Sequence, residues 1–218
     1  MKLYKEENRK AIFNVKRNLA IITIDLQRDT LKGRKLEIPG TNKILNNLKA
    51  ILSLARKKNI PIIHIVRIYL EDGSNAEPVR KKIIKAGNKI LSPGDEGTEI
   101  FKEALPNENI NLNCNLLLSG EPQKIRDDEI ILYKPRWGAF YNTKLHKILQ
   151  VKGIKSLSFM GVNFPNCPRT SIYEASERDY NVYAISDAIS GIYQRGKKEL
   201  ESIGVQLFTA KEFIEKIN

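Results

Sequence analysis

The chain has 218 residues, 41% of them hydrophobic, with 37 Lys and Arg against 25 Asp and Glu. That hydrophobic share excludes wholesale disorder, and the length suits one well-cored domain. The formal charge of +12 raises nucleic-acid binding, but the cations are scattered and no recognition-helix, zinc-finger or aromatic RNA-binding motif accompanies them, so nucleic acid is not expected as the principal partner.

Residues 1–17 mix Lys and Glu without an apolar h-region and read as an N-terminal extension, not a secretory signal. The apolar runs Leu19–Ile24 and Ile60–Ile63 are too short to span a bilayer. Two cysteines, Cys114 and Cys167, give no disulfide framework. A cytoplasmic protein is expected, with no membrane partner.

Leu19–Asp25, LAIITID, reads as a buried strand that closes on a carboxylate. Pro39-Gly40-Thr41 introduces a helix with Thr41 as candidate N-cap. Ile44, Leu45, Leu48, Ile51, Leu52 and Ala55 then mark one helix face. Ile60–Ile68 is the next strand, and Glu77–Ala86 a helix ended by Gly87. Residues 88–128 look irregular, with a short helix near Glu99–Leu105 and a strand around Asn115–Leu118. Strands follow at Glu129–Tyr133, Ser156–Val162, Val182–Ser186 and Val205–Phe208. Helices fall at Thr143–Val151, Pro168–Asp179 and Lys197–Ile203, and a last one opens on a capping box, Thr209 to Glu212. This alternation predicts a single α/β domain over 1–218: three layers, α/β/α, around a mainly parallel, roughly six-stranded, Rossmann-like sheet.

In open α/β sheets, ligands bind outside the carboxyl ends of the strands. Three reactive residues fall at such ends: Asp25, Lys134 after EIILY, and Cys167 in GVNFPNCPRTSIYEASERD. Pro168 fits the first position of a helix, which makes Cys167 the N-cap, facing the positive end of the helix dipole. That placement, with Lys134 nearby, predicts a lowered thiol pKa. The bland reading of Cys167 is a small inert residue in a tight turn. Asp25 could take the thiol proton or simply cap backbone N–H groups. Lys134 could equally be a solvated lysine, yet Trp137, Phe140 and Tyr141 after it suggest a pocket rim. Arg136 could hold an anionic group on a substrate or lie exposed. Cys114 reads as a core or loop residue.

With LQRD after the first strand, RWGAF after Lys134, and GVNFPNC leading through a helix to SDAISG, the chain resembles the isochorismatase-like cysteine hydrolases. These include nicotinamidases and carbamoyl-amide hydrolases, and the likeness runs from about Leu19 to Phe208. The resemblance implies a catalytic triad of Asp25, Lys134 and Cys167. It also implies a cis peptide before Asn163 and an oxyanion hole from the backbone N–H groups of Asn163 and Cys167. Gln27, Arg136, Trp137, Tyr141 and Phe164 are expected to line the substrate pocket. Many relatives carry a small residue and Thr where this chain has Asn163 and Phe164, and a β-branched residue at Pro168. Nicotinamidases place an Asp-x-His…His metal cluster after the second strand, where this chain reads RIYLEDGSNAE; His64 and His146 stand elsewhere. No metal and no cofactor are therefore expected. The expected function is hydrolysis of a C–N bond in a small amide or carbamoyl compound through a thioester, in a dimer or tetramer. The alternatives are vinyl-ether or ester hydrolysis, or a non-catalytic relative that binds a small molecule or nucleic acid.

Overall fold

The first strand, β1 (Leu19–Ile24), is buried along its whole length, as a strand covered on both faces must be. A computed structural model describes residues 18–218; the expected extension, 1–17, lies outside the described residues. Six further strands join β1: β2 (Ile62–Val66), β3 (Gln123–Arg126), β4 (Glu129–Tyr133), β5 (Ser156–Gly161), β6 (Asn181–Ile189) and β7 (Gln206–Phe208). Their order is β3-β4-β2-β1-β5-β6-β7. All neighbours are parallel except β3, which runs antiparallel to β4.

Among the described residues seven α-helices complete the fold: α1 (Thr41–Lys57), α2 (Pro78–Lys85), α3 (Cys114–Leu118), α4 (Leu145–Val151), α5 (Cys167–Ser176), α6 (Gln194–Ser202) and α7 (Ala210–Ile217). Ile44, Leu48, Ile51 and Leu52 of α1 and Phe213 of α7 cover one face of the sheet, packing with Ile21, Val66 and Ile131. Leu145 and Leu149 of α4, Ile172 of α5 and Leu200 of α6 cover the other, against Ile22, Ile65 and Leu132. This is the expected three-layer α/β/α arrangement, with seven strands instead of six. The added strand, β3, is a polar edge strand, QKIR, with only half-buried alternation; it has no apolar run to announce it.

Residues 115–118 form part of helix α3, not a strand. The Asn113 side chain accepts from the Leu116 N–H at 3.1 Å, and that cap decides a four-residue apolar run that either structure could use. Gly40, at φ 91°, holds the N-cap position of α1 in place of Thr41. The capping box at α7 is formed as read, with Glu212 Oε2 accepting from the Thr209 N–H at 2.8 Å.

From β1 the chain steps through β2 to β4 on one side, and β5, β6 and β7 build the other. The direction reverses between β1 and β5, so the crevice outside their carboxyl ends is where such a sheet takes a ligand.

Candidate active site

Asp25 directly follows β1, Lys134 directly follows β4, and Cys167 opens α5 beyond β5. The fold therefore carries all three to the same end of the sheet. Asp25 adopts φ 50°, a left-handed conformation that Asp tolerates better than most residues. Its N–H still pairs with the Ile65 carbonyl at 2.9 Å. Next to it, Gly161 ends β5 at φ 135°; a Cβ there would overlap the Ile24 carbonyl. Only glycine lets β5 approach β1 this closely beside the carboxylate.

Lys134 Nζ lies 3.0 Å from Asp25 Oδ2 and donates to Cys167 Sγ at 3.2 Å. Lys134 is fully buried, and Asp25 and Cys167 are each under a tenth exposed. Asp25 Oδ1 is buried with no hydrogen-bond partner among the described residues. An orphaned carboxylate oxygen beside a thiol is placed to accept a proton.

Burial and the Asp25 charge push the Cys167 thiol up to about 12, against a smaller downward pull from Lys134. This reverses the acidic thiol expected from the helix mouth. Cys167 is the first helical residue, with Asn166 as N-cap, yet desolvation and the neighbouring anion outweigh the dipole. For Lys134, burial pulls the ammonium down, Asp25 and Cys167 raise it, Arg67 opposes them, and the net direction is upward. Both directions favour the proton-bearing forms, a thiol on Cys167 and an ammonium on Lys134.

The peptide bond Val162–Asn163 is cis. Neither the Asn163 nor the Cys167 backbone N–H has an acceptor among the described residues. At the start of α5 the Asn166 N–H donates to the Asn163 carbonyl at 3.1 Å. Helix α5 is also tied to the segment after Lys134. The Ala139 N–H donates to Ser171 Oγ at 3.0 Å, Ser171 Oγ donates to the Cys167 carbonyl at 2.7 Å, and the Phe140 N–H donates to Glu174 Oε2 at 2.9 Å. A Cβ at Gly138 would meet the Glu174 carboxylate, so a larger residue there would displace that side chain from the Phe140 N–H.

The expected pocket residues divide. Gln27 is fully buried and its amide is consumed: Nε2 donates to the carbonyls of Arg67 and Thr98, and Oε1 accepts from the Arg67 N–H. It pins the strand ends and cannot line a pocket. Phe164 is also fully buried, edge-on to Tyr193 with ring centroids 5.3 Å apart, so it belongs to the core. Arg136 is half-buried, with Nη1 on the carbonyls of Asn75 and Pro135. Trp137 packs on the core cluster that includes Cys167, and Tyr141 is half exposed at the end of the same segment.

The histidines are occupied elsewhere. His64 bridges Thr23 Oγ1 and Glu129 Oε1 at 2.8 Å each, inside the sheet, and His146 pairs with Tyr180 at 3.0 Å. Cys114, at the start of α3, is half-buried, and burial pushes its thiol up. A surface cleft of about 540 Å³, lined by Arg56, Ile62, Arg126 and Glu129 among others, opens at the amino end of β2 and β4. The triad is at the opposite end of these strands. No helix among the described residues is long and apolar enough to cross a membrane.

Sequence reasoning did not single out Arg67, Glu77, Ser171 or Glu174. Arg67 had a signal available: a cation closing the apolar run IPIIHIV, as Asp25 closes LAIITI.

An isochorismatase domain model matches residues 116–210. A protein of Arabidopsis thaliana described as a probable inactive nicotinamidase is 30% identical over 92% of this chain and 97% of its own length. The ureidoacrylate amidohydrolase RutB of Acinetobacter baylyi is 24% identical over 83% of this chain and 73% of its own. Among solved structures, an isochorismatase family protein from Desulfovibrio vulgaris superposes with a TM-score of 0.77 at 24% identity, covering 91% of this chain and 97% of that one.

Proposed function

The chain belongs to the isochorismatase-like hydrolase superfamily, and on that premise we propose that it is a cysteine hydrolase of small amides or carbamoyl compounds. The observation that carries this reading is one ammonium, Lys134 Nζ, in contact with both a carboxylate and a sulfur, 3.0 and 3.2 Å away. The kinship with an amidohydrolase of a ureido compound supports the C–N bond as target.

The reaction starts from the neutral thiol. Cys167 Sγ attacks the substrate carbonyl carbon while its proton passes to Asp25. The carbonyl oxygen becomes an oxyanion, received by the free N–H groups of Asn163 and Cys167; each such donor contributes about 3–4 kcal/mol in comparable sites. The C–N bond then breaks as the nitrogen takes the proton from Asp25 and leaves. Water attacks the thioester, giving a proton to Asp25. The C–S bond breaks, the acid departs, and the thiol regains that proton. Lys134 keeps the site electrically balanced as negative charge passes between the Asp25 carboxylate and the substrate oxygen.

The high resting position of the thiol suits this concerted transfer, because an exposed thiolate would be open to stray electrophiles and oxidants. The same feature favours a second reading, a binding protein that no longer hydrolyses, in keeping with the inactive label on the Arabidopsis relative. A panel of primary amides and ureido compounds decides between them. Ammonia release that disappears in Cys167→Ala supports the hydrolase; binding of the same compounds without ammonia supports the second. The same reading includes a cytoplasmic location and a dimer or tetramer; light scattering on the purified chain tests the oligomeric state.

A further inference from the structure

The most heavily bonded side chain near the triad has no place in that mechanism. Arg67, directly after β2, is 2% exposed. Its Nη1 donates to the Lys134 carbonyl at 2.9 Å and to Tyr133 Oη at 3.1 Å. Its Nη2 donates to the Asn75 carbonyl at 2.9 Å and to Glu77 Oε1 at 3.1 Å. The guanidinium lies 4.4 Å from the ring centroid of Tyr69, whose hydroxyl donates to Glu77 Oε2 at 3.1 Å. The backbone N–H and carbonyl of Arg67 are both held by Gln27. Its Nε is buried and unpartnered among the described residues.

Sheet geometry explains the proximity. Val66 pairs with Tyr133, and the Lys134 N–H donates to the Val66 carbonyl at 3.0 Å. Side chains alternate along a strand, so Arg67 and Lys134 continue the face of Ile65 and Leu132, which pack in the cluster that contains Cys167. Two cations thus stand side by side at the carboxyl ends of β2 and β4. Both main-chain polar groups of Lys134 are held, one by Val66 at the end of β2 and one by Arg67 just beyond it.

We propose that Arg67 is a positioning residue: it fixes the segment that aims the Lys134 ammonium at Cys167, and its charge, balanced by Glu77, sets the field in which that sulfur reacts. The inference rests on the triad reading above. A brace alone would not need a full charge. Burying a guanidinium is costly unless it is paired, and a neutral donor could hold a carbonyl. The charge has its own consequence, since a cation beside Lys134 favours negative charge on nearby sulfur and oxygen. The charged and titratable groups facing Lys134 and Cys167 are Asp25 after β1, Arg67, Tyr69 and Glu77 after β2, Tyr133 on β4 and Glu174 from α5.

The test needs no known substrate. Iodoacetamide labelling of Cys167 is followed by peptide mass spectrometry between about pH 7 and 9, where the labelling rate tracks the thiolate fraction. Arg67→Met should slow Cys167 labelling about threefold or more at each pH, and Glu77→Gln, which leaves the cation uncompensated, should speed it by a similar factor. A merely structural Arg67 predicts lower thermal stability with Cys167 rates within experimental error of the parent. That result in folded Arg67→Met overturns the inference; if this variant fails to fold, an unchanged rate in Glu77→Gln overturns it instead. Lys134→Gln separates the two layers. If it shifts labelling while Arg67→Met and Glu77→Gln do not, the inference fails and the triad stands. If it too leaves labelling unchanged, the triad reading fails and takes the inference with it.

Discussion

Lys134 donates to Cys167 across 3.2 Å from two segments 33 residues apart in sequence, and no water-accessible surface remains on the lysine. A fully buried ammonium is tolerated only where partners compensate it. Asp25 is the anionic partner, and the sulfur fills a second donor direction. The pairing makes the site one electrical unit, so changes to any of the three should be felt by the others.

Thiol reactivity gives the first prediction. Because burial and Asp25 push Cys167 up to about 12, unliganded protein should label slowly at neutral pH, with a rate that rises about tenfold per pH unit through pH 9. A labelling plateau below pH 7 would contradict this. A thiol that holds its proton in the fold stabilises least once the unfolded thiol ionises. The Cys167 contribution is present below about pH 9 and is lost as pH rises toward 12.

Acid stability gives the second. Glu129 is buried against burial's own upward push; His64 and Arg56 hold its carboxyl down at about 2. A lowered carboxyl contributes stability above its unfolded value and loses it as pH falls from about 4.5 to 2. That contribution is about 3 kcal/mol at neutral pH. Denaturation followed from pH 6 to pH 3 should show a shallower loss of stability in Glu129→Gln than in the parent chain.

Two substitutions separate scaffold from pocket. Gly161→Ala forces a Cβ into the Ile24 carbonyl at a positive φ and should cost about 2–4 kcal/mol, with loss of activity as Asp25 shifts. Phe164→Ala should cost about 3–5 kcal/mol, since the ring is core and not pocket lining. Chemical denaturation reads both. A Phe164→Ala protein of parental stability with an altered substrate preference would restore the residue to the pocket.

Much of this is legible in the sequence. Buried strands that end on Asp25 and at Lys134, and a strand that turns through Cys167 into a helix, place three reactive groups at one sheet edge by topology alone. The orientation of Gln27 was not legible, because a polar residue at a strand end can face a ligand or the backbone. The thiol's upward shift was also hidden: helix-mouth position is visible in a sequence, while burial and the Asp25 charge come from elements distant along the chain. Strand β3 escaped because an edge strand with two lysine or arginine side chains has no apolar alternation strong enough to read.

The covalent step is the most direct test. An amide that releases ammonia is mixed with the protein, quenched in acid within the first turnover, and the Cys167 peptide is weighed. The account predicts a transient acyl mass on that peptide and a loss of turnover of about 10⁴-fold or more in Cys167→Ser. Hydrolysis at the parental rate in Cys167→Ser, with no adduct on the parent's Cys167 peptide, would contradict it.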